Sequence, residues 1–143
     1  MHVFPSSKSR FTTILLWALA LLLPMPLVFT VGEADLQTEI FVGFIFFGFS
    51  GLILWMLYGT NYRIIDNLLY FSNGPIKGKI KITSIKRVEY DKKIIKTSFY
   101  RPALDSDGLT IYYDKYEDIF VSPQDKEGFI AALKTVNPEI EVK

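Results

Sequence analysis

The chain contains no cysteine and a single histidine, His2, among its 143 residues. Without thiols there is no disulfide framework, no thiolate zinc site, no cysteine nucleophile and no lipidated cysteine. One imidazole cannot build a His-rich metal site, and His2, expected in a flexible tail, leaves every serine without a nearby base. Net charge is nearly absent as well, with 16 Lys and Arg against 15 Asp and Glu. Charge is missing altogether from two long stretches, and those stretches organise the molecule.

From Phe11 to Val31 there are 21 uncharged residues, 16 of them apolar, and from Ile40 to Tyr58 there are 19, 15 of them apolar. At about 1.5 Å per residue each is long enough to cross a hydrocarbon core of about 30 Å. The 85 residues that follow could not wrap two helices that are apolar on every face. The chain therefore reads as a tail (1–10), a two-helix membrane anchor (11–58) and a second domain (59–143). Lys8 and Arg10 before the first stretch also resemble the start of a signal peptide, but the apolar run continues through Pro24 and Pro26 with no clean cleavage site. The two prolines are expected to bend or break the first helix. Lys8, Arg10 and Arg63 flank the anchor, whereas the connecting loop carries only Glu33, Asp35 and Glu39. The positive-inside rule then places both termini in the cytoplasm, with Trp17, Trp55, Tyr58 and Tyr62 near the cytoplasmic interface. Gly48 and Gly51 share a helix face that suits either a homodimer or packing against the first span. Neither span holds an acid, a base or an amide, so the reading is an anchor without an ion or substrate pathway.

After Tyr58 the apolar pattern alternates, as strands require. Strands are expected at 60–65, 68–72, 76–82, 85–90, 94–99, 109–113 and 119–122. In the third, Lys77, Lys79 and Lys81 point to the face opposite Ile76, Gly78, Ile80 and Ile82. Ser122-Pro123-Gln124-Asp125 offers a helix N-cap followed by proline, and Phe129, Ile130, Leu133 and Val136 mark one apolar helical face ended by Asn137-Pro138. The fold class is α+β and mainly β: a partly open barrel of about seven antiparallel strands capped by a C-terminal helix.

The span from Thr60 to Ile140 resembles bacterial PH-like domains of the YyaB-like type. The resemblance runs through Tyr62, Ile64, Leu68, Gly74, Ile80, Ile82, Ile85 and Pro102-Ala103-Leu104. It is strongest at Ile119-Phe120-Val121-Ser122-Pro123 with Phe129, Leu133, Asn137 and Pro138. It implies a pleckstrin-homology-like fold behind two membrane helices at a bacterial inner membrane, and carries no catalytic residue with it.

Motifs for chemistry are weak. Gly74-Pro75-Ile76-Lys77-Gly78-Lys79 has one residue too few between its glycines for a phosphate loop. Asp105-x-Asp107-Gly108 lacks the later ligands of a calcium loop, and Asp114, Glu117 and Asp118 fall in a turn. No enzyme activity and no cofactor is expected. What remains is a charge split: residues 77–101 carry a net +7 and residues 102–143 a net −5. Either the two parts compensate each other, or the basic strands meet the membrane. Lys77, Lys79, Lys81, Lys86 and Arg87 are the candidate contact residues, for anionic lipid headgroups or a membrane-associated protein; at +2 the domain is no nucleic-acid binder. The expected role is a membrane-anchored interaction module; the alternative is self-protection against a secreted antimicrobial peptide.

Overall fold

The computed structural model describes residues 2–30, 32, 34–91 and 103–143. In chain order the elements are β1 (His2–Pro5), α1 (Arg10–Leu22), α2 (Pro26–Thr30), α3 (Leu36–Gly59), β2 (Asn61–Ile65), β3 (Leu68–Asn73), β4 (Ile76–Lys81), a 3-10 turn (Ile82–Ser84), β5 (Ile85–Asp91), β6 (Gly108–Tyr113), β7 (Glu117–Val121), α4 (Lys126–Val136) and β8 (Glu141–Val142). The strand expected at 94–99 lies outside the described residues.

The two uncharged stretches are helical, and the first is interrupted at Leu23–Met25, just where the two prolines remove backbone donors. Phe11, Ile14, Val28, Leu36, Phe41, Phe44 and Phe47 are among the large apolar side chains left exposed on the hairpin, whose helices are long and apolar enough to cross a membrane. The helices meet through small residues. Ser50, buried, donates its hydroxyl to the Ala20 carbonyl at 2.9 Å, and Ala20 is itself buried. Gly48 and Gly51 take no part in this contact, since each has open space around the position a Cβ would occupy.

The remaining strands form two four-stranded sheets, ordered β1-β2-β3-β4 and β7-β6-β5-β8. All pairings are antiparallel except β5 with β8. Inward-pointing Tyr62, Ile64, Leu69, Phe71 and Ile80 of the first sheet and Val88, Leu109, Ile111 and Ile119 of the second make one core, closed by Phe129, Ile130 and Leu133 of α4. Two strands differ from expectation. His2–Pro5, read from sequence as tail, pair with β2 in the register His2↔Ile64 to Pro5↔Asn61. Glu141–Val142 add beside β5.

Helix α4 begins later than Ser122-Pro123 suggested. Asp125 is the N-cap, its carboxylate accepting from Gly128 N at 2.9 Å. Ser122 stays extended and fully buried because its backbone has other partners: its N–H donates to the Tyr62 hydroxyl at 3.0 Å and its carbonyl accepts from Ser7 N at 2.6 Å. Tyr62 is correspondingly not an interfacial ring; it is fully buried in the core.

Candidate functional site

One residue, Thr60, separates α3 from β2, so the first sheet starts where the long apolar helix ends. Several contacts fasten this junction. The Thr60 hydroxyl lies 2.7 Å from the Met56 carbonyl and 3.1 Å from Asn73 Oδ1. The last helical carbonyl, of Gly59, accepts from Asn61 Nδ2 and from the Ser72 hydroxyl, both at 3.2 Å. The β3–β4 turn rests on α3: Gly74, at φ +58°, leaves no room for a Cβ beside Met56. On the other side of the hairpin, Lys8 sits 4.5 Å over the Tyr58 ring.

Strand register then builds the outward face of the first sheet in rows. Asn61, Ser72 and Lys77 are aligned beside the junction; Arg63, Tyr70 and Lys79 form the next row, and Ile65, Leu68 and Lys81 the third. Each row stands about 7 Å further from the helix end, the distance of two strand residues. Across the first two rows, and reaching Ile65 of the third, lies a groove of about 290 Å³ lined by Asn61, Arg63, Ile65, Tyr70, Phe71, Ser72, Lys77 and Gly78. Among the described residues no carboxylate pairs with Arg63, Lys77, Lys79 or Lys81. Asp114 and Glu117, at the β6–β7 turn, do share a neighbouring groove with Lys79 and Lys81.

The five basic residues singled out by sequence therefore separate into two groups. Lys77, Lys79 and Lys81 share the outward face of β4. Lys86 and Arg87 lie in the second sheet, after β4 has run about 16 Å away from its junction end. They line a different groove, with Lys115, Glu139 and Glu141. Arg87 is also neutralised, its Nε 3.0 Å from Glu89 and its guanidinium 4.4 Å over the Tyr112 ring. Sequence reasoning missed Asn61, Arg63 and Tyr70, which join the lysines only through register. The signal was there in the two-residue turn Asp66-Asn67, which fixes how β2 and β3 align.

The glycine and aspartate motifs resolve as turns, whereas Glu117 and Asp118, expected in a turn with Asp114, begin β7. Gly74-Pro75 is the β3–β4 turn. Asp105 accepts from Asp107 N at 3.2 Å, and Asp107 pairs with Lys126 at 2.6 Å. Among the described residues no three His, Asp or Glu side chains gather as metal ligands. The Tyr113 phenol beside the β6–β7 turn is pushed up to about 12, by burial first and then by its hydrogen bond to Glu117.

Comparison with known proteins adds two findings. The family described as Bacterial PH domain matches residues 60–137. A Bacillus subtilis (strain 168) protein, "Uncharacterized protein YyaB", is 33% identical over 92 residues, which is 64% of this chain and 62% of the relative. The aligned part thus spans less than two thirds of the relative's length. No solved structure matches.

Proposed function

Given that the chain belongs to the bacterial PH domain family, we propose that it is a non-catalytic interaction module held at the inner face of a bacterial cytoplasmic membrane, with the base of its first sheet docked on anionic headgroups. The observation that carries this reading is the outward face of β2–β4. It presents Arg63, Lys77, Lys79 and Lys81 without carboxylate partners among the described residues, and it starts one residue after a helix apolar enough to span the bilayer. Pairing of β1 with β2 supports the hairpin topology, because the segments before α1 and after α3 lie in one sheet and must emerge on the same side.

Each basic residue near an anionic leaflet contributes about 1 kcal/mol. Lys77 and Lys79 fall within a Debye length, about 8 Å at physiological salt, of the row where α3 ends; Lys81 falls beyond it. Reversing Lys77 and Lys79 to Glu should therefore undock the face, whereas Lys81→Glu should matter less.

The chain has no native thiol, so a fluorophore on Ser84→Cys can report depth through quenching by headgroup-labelled lipid. Quenching in vesicles containing phosphatidylglycerol should exceed that in phosphatidylcholine and fall with salt. Equal quenching in both lipids, or no change in the double reversal, refutes the docking. Topology is read separately: an impermeant thiol reagent on intact cells should label Thr38→Cys and not Ser106→Cys.

A further inference from the structure

The groove across the first two rows has a one-sided chemistry. Its charged lining is Arg63 and Lys77, with no acid among its walls. Its volume of about 290 Å³ lies at the lower limit of small-ligand sites, which leaves room for a headgroup and excludes a folded peptide.

Arg63 is held in place from the membrane side. The Gly59 carbonyl accepts from Asn61 Nδ2, and Asn61 Oδ1 in turn accepts from Arg63 Nε at 3.1 Å. Asn61 is thus engaged at both ends of its amide and acts as a spacer between the last turn of α3 and the guanidinium. With Nε occupied, the two terminal nitrogens of Arg63 keep their four N–H donors for the groove. A planar pair of donors beside an ammonium suits the oxygens of a phosphate, which guanidinium binds with two parallel hydrogen bonds and lysine as a point charge.

We infer that this groove binds the phosphate of an anionic lipid headgroup, with Arg63 as the two-toothed donor, Lys77 as the second cation and Asn61 as the positioning residue. The lipid source follows from the location. Asn61 and Ser72, at the base of the groove, both bond the final carbonyl of the membrane helix, so the site opens at headgroup level. This inference rests on the docking reading above and sharpens it: diffuse attraction depends on how many charges the face carries, whereas a built phosphate site depends on which cation stands at position 63.

The test uses the full chain in detergent micelles, titrated with dioctanoyl phosphatidylglycerol, dioctanoyl phosphatidylcholine and inorganic phosphate, and read by native mass spectrometry. Phosphatidylglycerol should bind one to one and in preference to phosphatidylcholine. Arg63→Lys keeps the charge and loses the fork; it should weaken that binding about tenfold, equivalent to about 1.4 kcal/mol. Asn61→Leu should weaken it by releasing the guanidinium, and Lys134→Glu, on α4 and outside the groove, should leave it unchanged. Unfolding temperatures of all three variants identify any that fail to fold.

Phosphatidylglycerol binding that is insensitive to Arg63→Lys but lost in the Lys77→Glu, Lys79→Glu double variant would overturn the site while leaving the docking reading intact. Insensitivity to every substitution would overturn both. Inorganic phosphate binding as tightly as phosphatidylglycerol would overturn the lipid source.

Discussion

Replacing Phe4 by alanine tests whether the N-terminus is a working strand of the domain. The Phe4 ring is half-buried and meets Phe129 edge to face, with centroids 5.2 Å apart and planes at 89°. Phe129 is fully buried and in turn meets Tyr62 at 6.0 Å. A phenylalanine removed from a complete core costs about 3–5 kcal/mol. Phe4 keeps part of its surface in water, so roughly half of that, about 2 kcal/mol, is expected, including an edge-to-face contribution of about 0.5–1.5 kcal/mol. For a domain of about 80 residues each kcal/mol moves the melting temperature by about 4–8 °C, which gives a drop of about 8–16 °C. The assay is thermal unfolding of the full chain in micelles followed by near-ultraviolet circular dichroism of the packed tyrosines. Val3→Ala is the control: Val3 neighbours Phe4 on the opposite face and is 52% exposed, so its loss should stay within about 0.5 kcal/mol. A Phe4→Ala shift no larger than that of Val3→Ala would refute the reasoning and return residues 2–5 to the status of a tail.

Tyr62→Phe removes the hydroxyl that accepts the Ser122 backbone N–H and leaves that donor buried without it, at a cost of about 1–3 kcal/mol. Burial raises the Tyr62 phenol above its ordinary value near 10, and Tyr113 is raised to about 12. In the unfolded chain both ionise near 10, so the stability they contribute is fully present below that pH and is lost as pH climbs through the folded values. Alkaline unfolding should therefore begin near pH 10 in the native chain, with a shallower loss in Tyr62→Phe; an identical slope in both would refute this. Gly78→Ala places a Cβ against the Phe71 ring, which the core holds. The expected cost is about 1–3 kcal/mol, checked by denaturant midpoint, and an unchanged midpoint would mean that the ring turns aside freely.

Much of this architecture is legible locally. Alternation at Ile64, Leu69, Phe71, Ile80 and Val88 is enough to draw β2 to β5, and the uncharged stretches draw the hairpin. What escaped is whatever depends on partners far along the chain. The segment His2–Pro5 has no pattern of its own and gains strand character only from β2, beyond the whole anchor. Ser122-Pro123 has the local chemistry of a helix start. It is held extended instead by Tyr62 and by Ser7, at separations no local rule contains. The candidate site divides the same way. Lys77, Lys79 and Lys81 follow from period two in a single strand, but Asn61, Arg63 and Tyr70 join them only when register is known, and Lys86 and Arg87 leave them for the same reason.

These long-range contacts also decide what kind of attachment the anchor is. A domain on a flexible tether samples every orientation, and its charged faces act only on average. Here a tether is lacking at both junctions. Gly59 passes into Asn61 through one residue, Ser6 N bonds the Thr60 carbonyl at 3.4 Å, and Ser7 is tied to the Ser122 carbonyl and to Asp105. The helices are thus joined to the sheet by a strand at each end and by side chains between, so the order of the rows from the helix end is set by the fold, and only the tilt of the molecule as a whole is left to respond to lipid charge. A single lysine at position 77 can then matter more than the summed charge of residues 77–101. The same rigidity lets a chain with almost no net charge present a basic surface that starts one residue beyond a long apolar helix.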